Sequence, residues 1–455
     1  SDVYKRQGMN LTDQFIDRIC AISYEDITPH AIEMVKICLI DTIGVAIAGA
    51  NDLKTKEKTL VNMLGGDELI APIGLEEKTS LLNAIFINGL NSHFLEFDDG
   101  IRYGVIHPSA PLFSALIPVA IVNNVGWKRF LLGAICGYET SIRLASAMQP
   151  YHYSAGYHPT ATCCTLGVAV GVSVMLGYSK DKVKDAFSAA SISSCGTLKV
   201  LEDISQLKPY NCAKAALNGY LSAVMANAGF KGPQDALTGD TGFLKMMASQ
   251  YNEEILIGNR DYFYVEKIYL KPYASCRHTH SVIEAAFMIR EEAGFDVNNI
   301  SSIDVLTYEG VIGKHDNNEI YGEASARMSM PYSIAVALVT GKAGIAEFVS
   351  PYIDDSFIIA LNKMVCIQGD EDLSKLVPDK RVAVLHVTQK DGKEFTCRVE
   401  YPKGEPENPL TEEELFVKFS TMAVYGGKSL EWAKRIFNYI ITSDSLAVSY
   451  THLTL

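Results

Sequence analysis

The segment NGLNSHFLEFDDGIRYGVIHP, residues 88–108, sets two adjacent carboxylates, Asp98 and Asp99, between two histidines, His93 and His107. Acids and imidazoles gathered beside apolar runs are what proton-transfer chemistry needs. Carboxylates near a core are costly unless paired, so Asp-Asp-Gly between Phe97 and a downstream His-Pro calls for a partner. A second segment, AGYHPTAT, brings His158 to a turn that feeds a small-residue helix. A helix start at Thr160 would leave free N–H groups and a positive dipole end, suited to an anion. A third segment, QLKPYN, offers Lys208, and a fourth, KPYASCRHTH, carries Lys271, Cys276, Arg277, His278 and His280.

Each segment also has a purely structural explanation. Asp98-Asp99-Gly100 suits a helix end and turn, and His158 before proline suits a turn. Lys208 taken singly suits a solvated surface, and Cys276 suits a small packed thiol. The fourth segment resists this treatment, because Arg-His-Thr-His on a solvated loop has no evident structural purpose. His278 and His280, two residues apart without a matching third ligand, do not make a metal site.

The elements that must position these groups change character along the chain. From Met9 to Ile257 the pattern is helical almost throughout, with helices expected over 31–48, 81–95, 110–122, 130–148, 160–176 and 214–228. The helix over 160–176 is dense in Ala, Gly, Ser and Cys, which lets neighbouring backbones come close. After Asp261 the period shifts. Residues 303–308 read as a strand, and 381–387 and 394–399 as two strands joined through Asp391-Gly392 as a hairpin. Helices are expected over 331–339, 345–349, 412–423 and 429–441. The expected architecture is a large all-helical domain, 9–265 with 403–442 returning to it, plus a smaller α+β unit, 266–402.

A chain of 455 residues, 48% apolar, can bury a large core. A net charge of −13 with no basic run argues against a nucleic-acid partner. Residues 105–127 and 144–179 lack charged side chains, yet their prolines, histidines and small residues fit buried helices better than membrane spans, so no membrane partner is expected. Ten cysteines without a CxxC read as reduced thiols in a cytoplasmic protein. Residues 1–8 and 443–455 lose the helical pattern and resemble translated sequencing-adapter sequence, so both tails are expected to be non-native.

Taken in order, the motifs resemble the MmgE/PrpD family over about Leu11 to Tyr425. They are NGLNSHFLEFDDG followed by HPSAP, then GYHPTAT, LKPYNCAKAA, KPYASCRHTH, MSMPYSIAVAL and KGEPENPLTEEELFVKF. Members of the family include 2-methylcitrate dehydratase, cis-aconitate decarboxylase and iminodisuccinate epimerase. The resemblance implies an all-helical domain with an α+β lid, usually a homodimer, and neither metal nor organic cofactor. It also implies site roles. Asp98 lines the site beside His107, His107 and His158 match site histidines, and Lys208 matches a site lysine. Lys271 opens the lid motif and His280 is its last histidine. Two departures stand out. Cys276 occupies a position that is histidine in cis-aconitate decarboxylase, and Gly100 stands where dehydratase and decarboxylase members carry threonine.

The chemistry implied is proton removal or delivery at carbon next to a carboxylate. His107 and His158 would exchange the protons, with the roles of base and acid open between them and Asp98 or Asp99 setting tautomer and charge. Lys208, Lys271 and Arg277 would neutralise developing charge or grip a carboxylate. Asp99, Cys276, Arg277 and His280 are expected on the substrate side. The leading expectation is a cofactor-independent, dehydratase-like lyase on a small di- or tricarboxylate. An epimerase or isomerase of an iminodisuccinate-type dicarboxylate, with Cys276 as second proton carrier, is the first alternative, and a non-catalytic metabolite-binding protein the second.

Overall fold

A computed structural model describes residues 8–202 and 205–442. The expected non-native tails therefore lie outside the described residues, except for Gly8. Helices dominate the N-terminal part: α1 (Leu11–Cys20), α2 (Pro29–Leu64), α3 (Leu81–Phe94), α4 (Ser109–Val122), α5 (Trp127–Met148), α6 (Tyr151–Ser154), α7 (Pro159–Met175), α8 (Lys180–Ser193) and α9 (Lys208–Asn227). A four-stranded sheet follows, built from β1 (Ile300–Tyr308), β2 (Val365–Asp370), β3 (Ala383–Gln389) and β4 (Glu394–Val399) in the order β2-β1-β3-β4. The fold class is that expected: a large helical part with a smaller α+β part.

The helical core is built on close backbone approach. A Cβ on Gly133 would lie 2.7 Å from the Gly171 carbonyl oxygen, and one on Gly167 the same distance from that of Gly137, so α5 and α7 meet glycine to glycine. On Gly89 it would lie 2.4 Å from Ala213 Cα, where α3 meets α9. Close approach here needs glycine for lack of a side chain, independent of any special backbone angle. Three site-bearing ends result: the C-terminus of α3 and the N-termini of α7 and α9. No helix among the described residues is long and apolar enough to cross a membrane.

In the sheet, β1 pairs parallel with β2 (Ile303 opposite Val365) and antiparallel with β3 (Val305 opposite Leu385), and β3 pairs antiparallel with β4. Inward positions of β3 alternate strictly with outward ones, as one covered face requires. The hairpin turns through Gly392 at φ +83°, the conformation an Asp-Gly turn supplies. Several elements differ from expectation, among them two helices that were not expected, His280–Arg290 and Ser356–Met364. Helix α2 runs 36 residues and not 18, because its second half is a polar, exposed extension without a core-facing stripe. Strand β2 (VCIQGD) was not expected, since its Gln, Gly and Asp hide an edge strand. Residues 345–349 hold only a three-residue 3₁₀ turn, Ala346–Phe348.

The last two helices, Glu412–Tyr425 and Leu430–Thr442, pack back on α2. Their anchor is Lys418, whose buried Nζ lies 2.5 Å from Asp41 Oδ1 on α2 and donates to the Phe97 carbonyl at 2.9 Å. Burial raises the Asp41 carboxyl and lowers the Lys418 ammonium from their usual values, and each opposes the shift of the other. This contact fixes the backbone immediately before Asp98. Lys418→Met should therefore destabilise the fold by about 3–5 kcal/mol, the cost of orphaning a buried charge. Asp41 would then fold protonated, so the deficit should widen as pH rises. Thermal melts across pH check this, and an unchanged Tm would contradict it.

Candidate active site

Three helix ends and one loop from the helical part meet the first residues of the α+β part. Helix α3 ends at Phe94, and the chain then turns through Glu96 at φ +54° and later Val105 at φ +53°. Left-handed backbone at non-glycine residues costs about 1–2 kcal/mol. Here both sit at the site, where such strain concentrates.

Asp98 is buried and accepts from His93, with Nδ1 to Oδ2 at 2.7 Å, while His107 Nδ1 lies 3.8 Å from the same oxygen. Glu96 lies between two lysines, 2.5 Å from Lys208 Nζ and 3.7 Å from Lys271 Nζ. Lys271, fully buried, also donates to the Glu96 carbonyl at 3.0 Å and approaches Asp98 to 3.9 Å. Burial alone would favour the protonated acids. Contacts with His93, His107 and Lys271 outweigh it at Asp98, and Lys208 with Lys271 outweigh it at Glu96, so both carboxyls stay well below the usual range. Burial likewise disfavours the Lys208 ammonium, yet Glu96 carries it above its ordinary value.

The two imidazoles behave oppositely from the acids. Burial, reinforced by Lys271 for His107 and by Lys208 for His158, holds both well below the ordinary histidine value, so both are neutral at pH 7. Their tautomers follow from their partners. His107 Nδ1 sits 2.6 Å from the Asp99 carbonyl, which only accepts, so Nδ1 carries the proton and Nε2 a lone pair. His158 occupies the N-cap position of α7, and its Nδ1 faces Asn211 Nδ2 at 3.1 Å. That amide also donates to the Thr197 carbonyl, so His158 Nδ1 accepts and Nε2 carries the proton.

These rings line a chamber of about 50 Å³ together with Val105, Tyr153, Lys208, Tyr269, Cys276, Arg277, His278, His315 and Arg381, among others. The chamber shares Leu201, Lys208 and Met328 with a cleft of about 890 Å³, which gives it a way in from outside. Cys276 Sγ lies 4.0 Å from His315 Nε2, and the His315 Nδ1 donates to the Met328 carbonyl. Burial opposes the thiolate, but His315 and then Lys208 bring the thiol down to about 6, while Cys276 lifts His315 above its ordinary value.

Of the expected site residues, the structure brings His107, His158, Lys208, Cys276 and Arg277 to the chamber wall, with Asp98 directly behind. Four are placed differently from expectation. Lys271 lines neither cavity; it lies beneath the wall as counter-ion to Glu96 and Asp98. Asp99 faces Ser109, and burial pushes its carboxyl up to about 7, so what it offers the site is its backbone carbonyl. His280 is buried behind the wall, between Arg277 and the Ser275 carbonyl. Arg277 reaches the wall, but Glu405 takes its Nε and Nη2, and His280 with the Lys403 carbonyl occupies Nη1, so its guanidinium is already engaged. Sequence reasoning noticed His93 without giving it a role, and passed over Glu96 and Asn211 inside its own motifs. His315, Tyr269 and Arg381 carried no local signal, because only the tertiary fold brings them here.

Two donor sets, Cys276/His278/His315 and His93/Asp98/His107, have their ligand atoms within 4.8 Å of one another. Either suits a late first-row metal by donor type, and both are tied internally by the hydrogen bonds just described.

A model of the MmgE/PrpD N-terminal domain matches residues 13–255, and one of the C-terminal domain matches residues 273–437. The chain belongs to the MmgE/PrpD family. It is an enzyme of this family's lyase type. Similar proteins include the human cis-aconitate decarboxylase, 24% identical over 441 residues that span 93% of this chain and 89% of the human protein. The Aspergillus terreus cis-aconitate decarboxylase is 23% identical over 436 residues, 88% of this chain and 87% of its own length. Within this MmgE/PrpD protein the pairing of Cys276 with His315 has a direct readout. Alkylation of Cys276 by iodoacetamide, followed peptide by peptide, should titrate near pH 6 and move towards the ordinary thiol range in His315→Gln. An unshifted midpoint near 9 in the wild type would contradict the pairing.

Proposed function

We propose that this enzyme eliminates water from a small hydroxy-tricarboxylate by removing a proton next to a carboxylate. The observation that carries the reading is a pair of neutral imidazoles with opposite tautomers on one chamber wall, beside a lysine. His107 Nε2, a lone pair, takes the C–H proton. His158 Nε2–H and the Lys208 ammonium face the carboxylate as it gains charge, the neutral ring acting as a hydrogen-bond donor. The proton shared by Cys276 and His315 passes to the departing hydroxyl, which leaves as water. Solvent then returns the proton from His107 to the Cys276–His315 pair, so the cycle balances. The chamber holds about three to five waters' worth of space, which is enough for the reacting end of a six-carbon acid whose remainder extends into the cleft. The curated relatives are named for cis-aconitate, a tricarboxylate, and this supports the substrate class.

Cys276 in place of the decarboxylase histidine speaks against decarboxylation here, while Gly100 departs from dehydratase and decarboxylase members alike. The same Cys276–His315 pair would reprotonate the opposite face in an epimerase, so the outcome is measured directly. Proton NMR in heavy water with citrate, 2-methylcitrate, cis-aconitate and iminodisuccinate should show alkene and water formation from a hydroxy-tricarboxylate. His107→Ala should lose both turnover and C–H exchange, by a factor of about 10²–10⁴. Asn211→Leu, which frees the His158 tautomer, should lower kcat and alter its pH profile while KM stays near wild type. Deuterium exchange without loss of water would replace this reading with epimerisation, carbon dioxide release would replace it with decarboxylation, and inertness towards all four acids would overturn it.

A further inference from the structure

Three cationic side chains other than histidine reach the chamber wall: Lys208, Arg277 and Arg381. The first is paired with Glu96 and the second with Glu405. Arg381 is 7% exposed, and its guanidinium has no ion pair or hydrogen bond among the described residues; its buried Nε is left without a partner. A cation buried without a counter-ion is costly. Among the described residues no carboxylate pairs with it directly: Glu405 pairs with Arg102 and Arg277 and acts on Arg381 only at longer range.

The position of Arg381 is built in. It lies two residues before the start of β3, where Thr307 pairs with Ala383, and so stands near Tyr308 at the end of β1. Tyr308 in turn holds His278 by a hydrogen bond to Nδ1. Tyr269 lines the same chamber close to Arg381, and its hydroxyl likewise has no hydrogen-bond partner among the described residues. That phenol occupies its place because residue 100 is glycine. A Cβ there would lie 2.3 Å from the Tyr269 oxygen, and the two residues pair backbone to backbone, Tyr269 N to Gly100 O at 2.8 Å. The ring is braced from its other face by the Arg277 guanidinium, 4.5 Å from the centroid. An unpaired guanidinium and an unpaired phenol therefore line one cavity, and the engaged Arg277 supports the phenol.

We propose that Arg381 and the Tyr269 hydroxyl form the carboxylate subsite of the chamber, with Arg381 as the counter-ion that a bound carboxylate supplies with its missing partner. Arginine presents a planar fork that matches a carboxylate with two hydrogen bonds. The subsite lines the same chamber as His107 and His158, so it would fix which carbon faces the base. The inference rests on the reading that the ligand is a small polycarboxylate, and its test separates the two.

Citrate is the probe, measured by calorimetry and by thermal shift on the full chain. Arg381→Gln should bind citrate about 10- to 100-fold more weakly, the range for a lost hydrogen bond to a charged group. Arg381→Lys should recover part of the loss, and Tyr269→Phe should weaken binding several-fold. Without ligand, Arg381→Gln should melt at or above the wild type, because it removes an unpaired buried charge. Citrate should raise the Tm of the wild type but not that of the variant. Citrate binding to Arg381→Gln as tight as to the wild type overturns the subsite alone. A ligand-free variant melting well below the wild type assigns Arg381 to structure and also overturns it. A wild type that neither binds nor converts any tricarboxylate removes the parent reading and the subsite together.

Discussion

Two buried carboxylates, Glu96 and Asp98, share two lysines, Lys208 and Lys271, directly beneath a pair of imidazoles, and the rest of the site depends on that balance. Four formal charges cancel within one small volume, which is what lets so many ionisable groups be buried together. Burial, reinforced by the lysines, keeps His107 and His158 unprotonated at rest, and their backbone and amide partners then decide which nitrogen is bare. The strained backbone at Glu96 and the reach of Lys418 to the Phe97 carbonyl are consequences of holding this cluster in place.

The two walls divide the work. The helical wall supplies neutral imidazoles on helix ends, which are rigid because α3, α7 and α9 touch at glycines. The α+β wall supplies a thiol coupled to an imidazole, and an arginine without a partner. In the proposed reaction, one wall would remove the proton and the other would anchor the substrate and deliver a proton. The two departures from the family pattern, Gly100 and Cys276, both lie on this seam, one making room for Tyr269 and the other pairing with His315.

Much of this was legible in the sequence, for physical reasons that can be named. The small-residue run of α7 announced close helix packing, and Asp391-Gly392 announced its hairpin. Local crowding of Asp98, His107 and His158 with prolines and glycines marked the segments that meet at the chamber. What the sequence hid was partnership. Arg277 looked available for a substrate because Glu405, 128 positions away, is invisible to local reading. Lys271 looked exposed to ligand because its carboxylate partners belong to another motif. Arg381 looked like the start of a strand and nothing more, since being unpaired is a property of the tertiary structure. Strand β2 was missed because an edge strand need not alternate cleanly.

The tautomers of the two chamber imidazoles are the point at which structure becomes chemistry, and nitrogen NMR reads them directly. In protein labelled with ¹⁵N only at histidine, and assigned through His107→Gln and His158→Gln, His107 should resonate as a neutral ring protonated at Nδ1. His158 should resonate as a neutral ring protonated at Nε2, both unchanged from about pH 6 to 8. Imidazolium signals from either ring at pH 7, or the same tautomer in both, would contradict the account.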